Sequence, residues 1–151
     1  MITVEGRGML GVPGIAARTF TAVARVGASV LMISQASSEQ SICFVIPTAT
    51  SQEVIRSIQN EMALELARQD IDRVWAMDNI VIVTAVGAGL RNTPGISGKI
   101  FGALGKHQIN AIAIAQGSSE YSISIVVDAK DADQAVIHIH DEVILGNGGE
   151  L

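Results

Sequence analysis

The stretch Ile33-Ser-Gln-Ala-Ser-Ser-Glu-Gln-Ser-Ile42 returns 81 residues later as Ile114-Ala-Gln-Gly-Ser-Ser-Glu-Tyr-Ser-Ile123. In both places a Gln-x-Ser-Ser-Glu turn lies between two β-rich runs. So short a connection joins only antiparallel strands, because a parallel return needs a crossover of about a dozen residues or more. Outward from this hairpin, residues 1–46 pair with residues 82–127 without a gap, and 16 of the 46 pairs are identical. The chain is therefore predicted to contain two copies of one structural unit.

The two copies share one order of predicted elements. Each begins with a β-rich run, continues through a Gly/Pro loop into a helix, and then forms the hairpin; the first copy adds a second helix and a fourth strand. The order βαββαβ is the ferredoxin-like arrangement, an α/β (α+β) fold with antiparallel sheets. The predicted elements of the first copy are Ile2–Glu5, a helix ending near Val26, Ser29–Ser34, Ser41–Ile46, a helix from about Ser51 to Arg68, and Ile71–Met77. Those of the second are Ile80–Val86, a helix ending near His107, Asn110–Ala115, Ser122–Val127 and a helix from Ala132 to about Ile144.

The second copy is predicted to lack its own fourth strand. Its last helix is followed by the polar segment Gly-Asn-Gly-Gly-Glu at residues 146–150. Its sheet would keep an open position, which we expect a segment upstream of Met1 in a longer natural chain to fill; a cap supplied by an assembly is the alternative. The expected domains are residues 1–78 and residues 79–151.

The composition points away from nucleic acids and membranes. The net charge is −5 and Lys and Arg are not clustered, which disfavours a nucleic-acid partner. No apolar stretch approaches the ~20 residues that span a bilayer, and the N-terminus lacks the layout of a signal peptide. A single cysteine fits a reducing compartment, so a cytoplasmic location is expected.

One motif in the first loop suggests a function that the rest of the sequence contradicts. Gly6-Arg-Gly8-Met-Leu-Gly11 matches the G-x-G-x-x-G dinucleotide fingerprint between a strand and a helix. The second copy has Asn92 in place of the third glycine. The next strand is followed by a hairpin, so the parallel sheet that holds a dinucleotide is not predicted.

The repeated Gly/Pro loop is better suited to bind a carboxylate. Pro13 and Pro94 fit the first turn of their helices, and Thr93 fits the N-cap position. The free N–H groups and the positive dipole end of a helix start attract an anion. Carbonyl groups at the start of the adjacent strand would accept from an ammonium group, and Gln35 or Gln116, where the strands end, would recognise an amino acid. The alternative is a set of loop glycines and turn-forming polar residues without a ligand.

No catalytic or metal-binding set is recognisable in the sequence. His107 falls at a helix end, and His138 and His140 are two positions apart on a helix, so they point in different directions. Neither a His pair at helical spacing nor a Cys cluster suggests a metal site. Glu39 and Glu120 recur, but each is expected to make a contact within its turn or toward a helix.

These residues resemble a known family. The segments Gly8 to Phe20, Ile33 to Glu39 and Ile114 to Ser124 are similar to the tandem ACT domains at the regulatory end of aspartate kinase. The resemblance covers nearly the whole chain. The Gln-x-Ser-Ser-Glu turn is closer to the threonine-sensitive type, including enzymes fused to homoserine dehydrogenase, than to the lysine-sensitive type.

The resemblance implies a set of effector-binding residues in each copy. Family members bind an end-product amino acid between paired domains, with the helix start, the strand start and a glutamine around it. They also supply the missing strand of the second domain from just upstream. Carried over by position, the effector-binding residues would be Met9, Gly14, Ile15, Ala16, Ser29, Val30, Leu31, Gln35, Ser38 and Glu39, and in the second copy Gly95, Ile96, Asn110, Ala111, Ile112 and Gln116.

The resemblance further implies feedback control of a kinase. Threonine is the favoured effector and lysine the next, in a homodimer that acts on a kinase catalytic domain in the same or a partner chain. The Lys-x-Gly-Gly-Thr phosphate loop of that domain is absent from this sequence, so no cofactor is expected here, and ATP and Mg are expected only for the kinase domain. The chain would be a regulatory fragment or a separate small subunit. The alternatives are a free-standing ACT-repeat regulator of another enzyme or transcription system, and a small enzyme on a ferredoxin-like fold.

Overall fold

The computed structural model describes residues 1–87, 90, 93–117 and 121–145, with the backbone alone at positions 144 and 145. The chain forms two compact units, Met1–Asp78 and Asn79–Leu151. Within the described residues, no helix combines the length and the apolar character needed to cross a membrane.

The first unit is a four-stranded antiparallel sheet with helices on one face. Its strands lie in the order β2-β3-β1-β4, so β1 is central and pairs with both β3 and β4. This is the ferredoxin-like order, and the hairpin of β2 and β3 is antiparallel as its short connection predicted. The elements are β1 (Ile2–Glu5), α1 (Ile15–Val26), β2 (Met32–Gln35), β3 (Ser41–Val45), α2 (Ser51–Glu61), α3 (Ala63–Arg68) and β4 (Arg73–Ala76).

The second unit repeats this arrangement without a fourth strand. In its described residues the sheet has the order β5-β7-β6, so β5 occupies the place of β1 but pairs with one neighbour. The sequence-based prediction of an incomplete second sheet is confirmed for this part of the chain. The elements are β5 (Ile80–Val86), α4 (Ile96–Lys106), β6 (Ala113–Ala115), β7 (Ser122–Asp128), α5 (Ala132–His140) and a π-helical turn, Asp141–Leu145.

Each unit has its own apolar core between sheet and helices. In the first unit Phe44 is fully buried, and its ring meets the edge of Phe20 with the centroids 5.4 Å apart. In the second unit the core is aliphatic and includes Ile100, Ile123 and Ile125. Strand residues alternate between this face and the opposite one. At the start of β7, for example, Ile123 and Ile125 are buried, whereas Ser122 and Ser124 are half-buried.

The predicted single helix from Ser51 to Arg68 is wrong, because it breaks at Met62. Met62 has φ −106° and ψ 24°, and its side chain is fully buried in the core. Met62 is the C-cap of α2 and the N-cap of α3. A guanidinium nitrogen of Arg18 donates to the Glu61 carbonyl at 2.6 Å, so a contact between helices compensates for the interrupted helix.

The expected helix starts also need correction. Thr93 is not the N-cap and neither proline lies inside its helix, because Gly14 and Gly95 take the N-cap positions two residues later than predicted. The strands expected from Ser29 and Asn110 begin later, at Met32 and Ala113. Before these strands, the Leu31 and Ile112 N–H groups still donate to the carbonyls of Val45 and Val126, both at 2.8 Å.

Candidate ligand-binding site

Both helix starts are built on a glycine in the left-handed conformation. Gly14 precedes α1 with φ 89°, and Gly95 precedes α4 with φ 89°. A residue with a Cβ rarely adopts this conformation, which explains why both copies keep glycine there. Because glycine has no side chain, the N-cap residue cannot satisfy the N–H groups of the first helical turn. Each helix start is therefore suited to receive a carboxylate.

In the first unit the glycine loop is tied to the hairpin turn. The Gly11 N–H donates to Glu39 Oε2 at 3.0 Å, and the Gly6 N–H donates to the Gln40 carbonyl at 3.0 Å. Glu39 itself has φ 56°, a conformation that is uncommon for a residue with a side chain. The two most strongly repeated segments of the sequence thus contact each other. The equivalent Glu120 lies outside the described residues.

The predicted site residues of the first unit divide into buried and exposed groups. The Met9 and Ile15 side chains are buried in the core, and Ala16 and Val30 are half-buried against it. These four can offer a ligand backbone groups and a shaped wall rather than free side chains. The remaining members are exposed: Gly14, Ser29, Leu31, Gln35, Ser38 and Glu39. Gln35 is the last residue of β2, as expected from its place in the hairpin.

The second unit has the same division and, in addition, an open cavity. Ile96 is buried, Ala111 and Ile112 are half-buried, and Gly95, Asn110 and Gln116 are exposed. A cavity of about 400 Å³ lies between β5, the start of α4 and α5. Its wall includes Ile96 but not Gln116, so the cavity adjoins the predicted site without coinciding with it. Sequence reasoning did not foresee this cavity.

Comparison with known proteins identifies the repeated unit. The ACT domain matches residues 2–62 and again residues 83–143. The chain belongs to the ACT domain family. Its two ACT units are similar to bifunctional aspartokinase/homoserine dehydrogenase 1 of Arabidopsis thaliana, with 42% identity over 145 residues, which is 96% of this chain and 16% of that protein. The chain therefore spans about one sixth of the length of this curated relative.

Solved structures place the fold among aspartate kinase regulatory regions. The regulatory subunit of aspartate kinase from Thermus thermophilus has 30% identity and a TM-score of 0.75, with 93% of this chain and 90% of that chain covered. E. coli aspartokinase III in complex with lysine and aspartate has 25% identity and a TM-score of 0.67, with 95% and 30% covered. The chain is thus similar to aspartokinases and to a regulatory subunit of aspartate kinase.

The helices of the first ACT unit are joined by an ionic cluster centred on Arg18. Its Nε lies 3.2 Å from Glu61 Oε1, and its Nη1 contacts the Glu65 carboxylate. The bond from Arg18 lowers the pKa of Glu65, and bonds from Arg25 and then Arg18 lower the pKa of Glu61. These side chains are partly exposed, and their contacts hold α1 against α2 and α3.

A second ionic contact lies at the end of β1 in the same unit. The Glu5 carboxylate accepts from Arg73, which lowers the pKa of Glu5, and from Trp75 Nε1 at 3.2 Å. The Arg73 guanidinium also lies 5.0 Å from the centre of the Trp75 ring. Glu5 directly precedes the glycine loop, so this contact anchors the loop to β4.

In the second ACT unit two histidines that are distant in sequence stack on each other. The rings of His107, at the end of α4, and His138, in α5, are parallel with centroids 3.3 Å apart. The sequence placed His107 correctly at a helix end but gave no sign of this pairing, because it depends on how α4 and α5 pack. Across the described residues, no three His, Cys, Asp or Glu side chains are grouped as they would be to hold a metal ion.

Proposed function

We propose that this chain is the regulatory region of an aspartate kinase and that it binds an end-product amino acid, threonine in the first place and lysine in the second. The observation that carries the proposal is the pair of left-handed glycines, Gly14 and Gly95, which begin matching helices without a capping side chain. Each helix start would bind the carboxylate of the effector. Gln35 and Gln116, both exposed at the ends of β2 and β6, would bind its polar side chain.

Threonine and lysine are each favoured by a different observation. The relative from Arabidopsis thaliana is a bifunctional aspartokinase/homoserine dehydrogenase, and the Gln-x-Ser-Ser-Glu turn of this chain resembles the threonine-sensitive type. A glutamine amide both donates and accepts, so it suits the hydroxyl group of threonine. Lysine is kept as the second candidate because the E. coli neighbour is a complex with lysine. A free-standing ACT-repeat regulator of another enzyme or transcription system is less favoured, since each relative named above is an aspartate kinase or its regulatory subunit.

Calorimetric titration with threonine, lysine, methionine and isoleucine tests the effector. We expect saturable binding of threonine, and a loss of affinity of about tenfold or more in Gln35→Ala or Gln116→Ala, since removing one buried hydrogen-bond partner costs about 1–3 kcal/mol. Gln59→Ala is the matched control, because Gln59 is exposed on α2. Lysine binding would retain the regulatory role and change the effector. Equal affinity in all three variants would refute the role of the glutamines.

The parent protein is proposed to phosphorylate aspartate with ATP and Mg, through a kinase domain that this chain does not contain. Effector binding would shift that domain toward an inactive state, which requires different contacts in two states and a coupling free energy of ~1–3 kcal/mol. The test is the kinase rate of the full-length parent with increasing threonine. A Gln35→Ala parent should need more threonine for half-inhibition, and an unchanged inhibition curve contradicts the proposal. A cytoplasmic location stays a prediction; the Arabidopsis relative is described as chloroplastic.

A homodimer is proposed to place the effector sites at an interface. The outer edge of β2 is open in the described sheet, and Leu31 and Ile33 are exposed there, 60% and 49%. Ile114 is the equivalent of Ile33 on β6 and is also exposed. Edge-to-edge pairing of like units would bury these side chains. Sedimentation analysis should therefore give a dimer, and Ile33→Lys should weaken it; a monomeric native chain contradicts the proposal.

The second ACT sheet is proposed to be completed by a strand from upstream in the longer parent chain. In the first unit β4 pairs with β1, whereas β5 has no partner on the equivalent edge in the described residues. The cavity beside β5 is lined mainly by apolar side chains, which matches the buried side of a strand. A strand in this position would turn the order β5-β7-β6 into that of the first unit.

A further inference from the structure

The second ACT unit keeps a glycine that its described structure does not require. Gly87 is aligned with Gly6 in the repeat. It is not among the glycines with positive φ, so an ordinary residue would fit its backbone. Among the described residues, a Cβ at Gly87 would meet only Leu90 Cγ, at 3.9 Å, which is an ordinary contact. Neither backbone conformation nor packing against the described residues explains the glycine.

In the first unit the equivalent glycine is required by a close crossing of two chain segments. A Cβ at Gly6 would lie 2.3 Å from the Asp70 carbonyl oxygen and 2.5 Å from Ile71 Cα. Both distances are far shorter than any van der Waals contact, and the atoms belong to the backbone, which cannot move aside cheaply. Residues 70–72 lead directly into β4, and the Asp72 N–H donates to the Glu5 carbonyl at 2.8 Å. Gly6 therefore allows the segment that enters β4 to cross the loop.

The open edge of β5 offers the same hydrogen-bonding groups as the edge of β1 that meets β4. The carbonyls of Met1 and Glu5 accept from Met77 and Asp72. The repeat places Ile82 and Val86 at the positions of Met1 and Glu5. Because the two edges alternate along a strand, the N–H and C=O groups of residues 82, 84 and 86 point to the open edge.

We infer that the strand which completes the second sheet enters across Gly87, as β4 enters across Gly6, and that Gly87 is part of its docking site. The inference rests on the strand completion proposed above and adds the path of entry. The occupant is an extended segment of the parent chain, antiparallel to β5. Its backbone lies on Gly87 and an apolar side chain enters the cavity, as Val74 of β4 enters the core of the first unit. The curated relative contains ample further chain, since this region is 16% of its length.

The docked strand would also contact the segment that begins α4. Leu90, Thr93 and Ile96 line the cavity beside β5, and Ile96 is the first residue of α4. The strand and the proposed effector thus share this helix start. Occupation of the edge would make the second effector site more rigid, so the site should depend on a segment that belongs to another part of the parent protein.

Gly87→Ala in two proteins, this 151-residue chain and the full-length parent, tests the inference by amide hydrogen exchange without any amino acid. In the short chain we expect no change in the thermal transition, because Leu90 is the only described residue that the added methyl group would meet, at an ordinary distance. In the native parent, the Thr84 and Val86 amides should exchange more slowly than in the short chain. Gly87→Ala should accelerate them about tenfold or more, since overpacking of this kind weakens local structure.

Gly6→Ala is the matched control in the short chain, because its methyl group overlaps Asp70 and should lower the unfolding midpoint of the first unit. Unchanged exchange in the Gly87→Ala parent would overturn the inferred path while leaving strand completion intact. Equal exchange of Thr84 and Val86 in the native parent and the short chain would overturn both. A destabilised Gly87→Ala short chain would also count against the path, since the glycine would then be needed within the unit itself. None of these readouts depends on the identity of the effector.

Discussion

Replacing Thr19 with valine should stabilise the first ACT unit. Thr19 lies in α1 with no exposed surface, and its Oγ1 is the one buried side-chain oxygen or nitrogen in the described residues without a hydrogen-bond partner. The repeat places Ile100 at the same position of the second unit, where the side chain is also fully buried. The site is therefore apolar in character, and the hydroxyl group of Thr19 is the exception.

The expected magnitude follows from the unpaired hydroxyl. A buried polar group without a partner costs about 1–3 kcal/mol, and valine has nearly the shape of threonine without the hydroxyl. Threonine and valine have similar helix propensities, so little of the change comes from the helix itself. We expect the free energy of unfolding to rise by about 1–2 kcal/mol, which for a unit of this size corresponds to roughly 4–8 °C in Tm per kcal/mol.

Urea unfolding monitored by tryptophan fluorescence measures this change in the correct unit, because Trp75 is the single tryptophan and lies in β4. The matched control is Thr21→Val in the same helix. Thr21 is exposed and its Oγ1 donates to the Ala17 carbonyl at 2.8 Å, so the unfolding midpoint should change little. A lower midpoint for Thr19→Val than for the native chain would refute the reasoning, since it would mean that the hydroxyl has a favourable partner.

Three further predictions concern the same folded unit and its repeat. The folded-state pKa values of Glu5, Glu61 and Glu65 are lowered, so the stability they contribute is present above their unfolded pKa of about 4.3 and is lost as the pH falls through the folded values. When urea midpoints are measured from pH 7 to pH 3, the midpoint should decrease once the pH is below about 4.5. The decrease with pH should be less steep in Arg18→Met than in the native chain; equal slopes in the two proteins would contradict this. Gly14→Ala and Gly95→Ala should each lower the thermal stability of their unit by about 1 kcal/mol because both glycines have φ 89°; unchanged melting would show that alanine fits. Phe44→Ala should cost about 3–5 kcal/mol by leaving a cavity in the core, measured by the Trp75 transition, and a loss below 1 kcal/mol would mean that Phe44 is not a central core residue.

The fold was predictable because the sequence is repeated, whereas the exact ends of its helices were not, because they depend on local backbone conformation. The antiparallel hairpins followed from the short connections between strands, and the missing fourth strand followed from the polar segment after the last predicted helix. The break at Met62 did not, because nothing in the helical pattern from Ser51 to Arg68 marks it, and the Glu61 carbonyl beside it is bonded by Arg18, which is distant in sequence. The same applies to the start of α4, where the left-handed Gly95 is the N-cap instead of Thr93, and Pro94 lies before the helix instead of in its first turn.

The candidate site was predictable only in part, for a physical reason. Gln35 falls at the end of its strand as expected, and the repeated Gln-x-Ser-Ser-Glu turn does contact the glycine loop, through Glu39 and the Gly11 N–H. The predicted roles of Met9 and Ile15 were harder to judge, since a sequence does not show whether an apolar residue faces a ligand or the core. Both are buried in the core. A site made largely of backbone groups leaves few marks on side-chain identity beyond its glycines.

The glycine loop is covered by a crossing segment in the first ACT unit and is open in the described residues of the second. This difference affects how each unit would bind an effector. In the first unit the crossing segment belongs to the unit itself, and Glu39 fixes the loop to the turn, so an effector would meet a site that is largely formed. In the second unit the edge of β5 and the space over Gly87 are open in the described residues. An effector and an incoming strand that share the start of α4 would favour each other's binding by the same factor, because such coupling is reciprocal. A duplicated sequence can in this way give one site that senses the effector alone and a second whose affinity also reports the position of the rest of the protein.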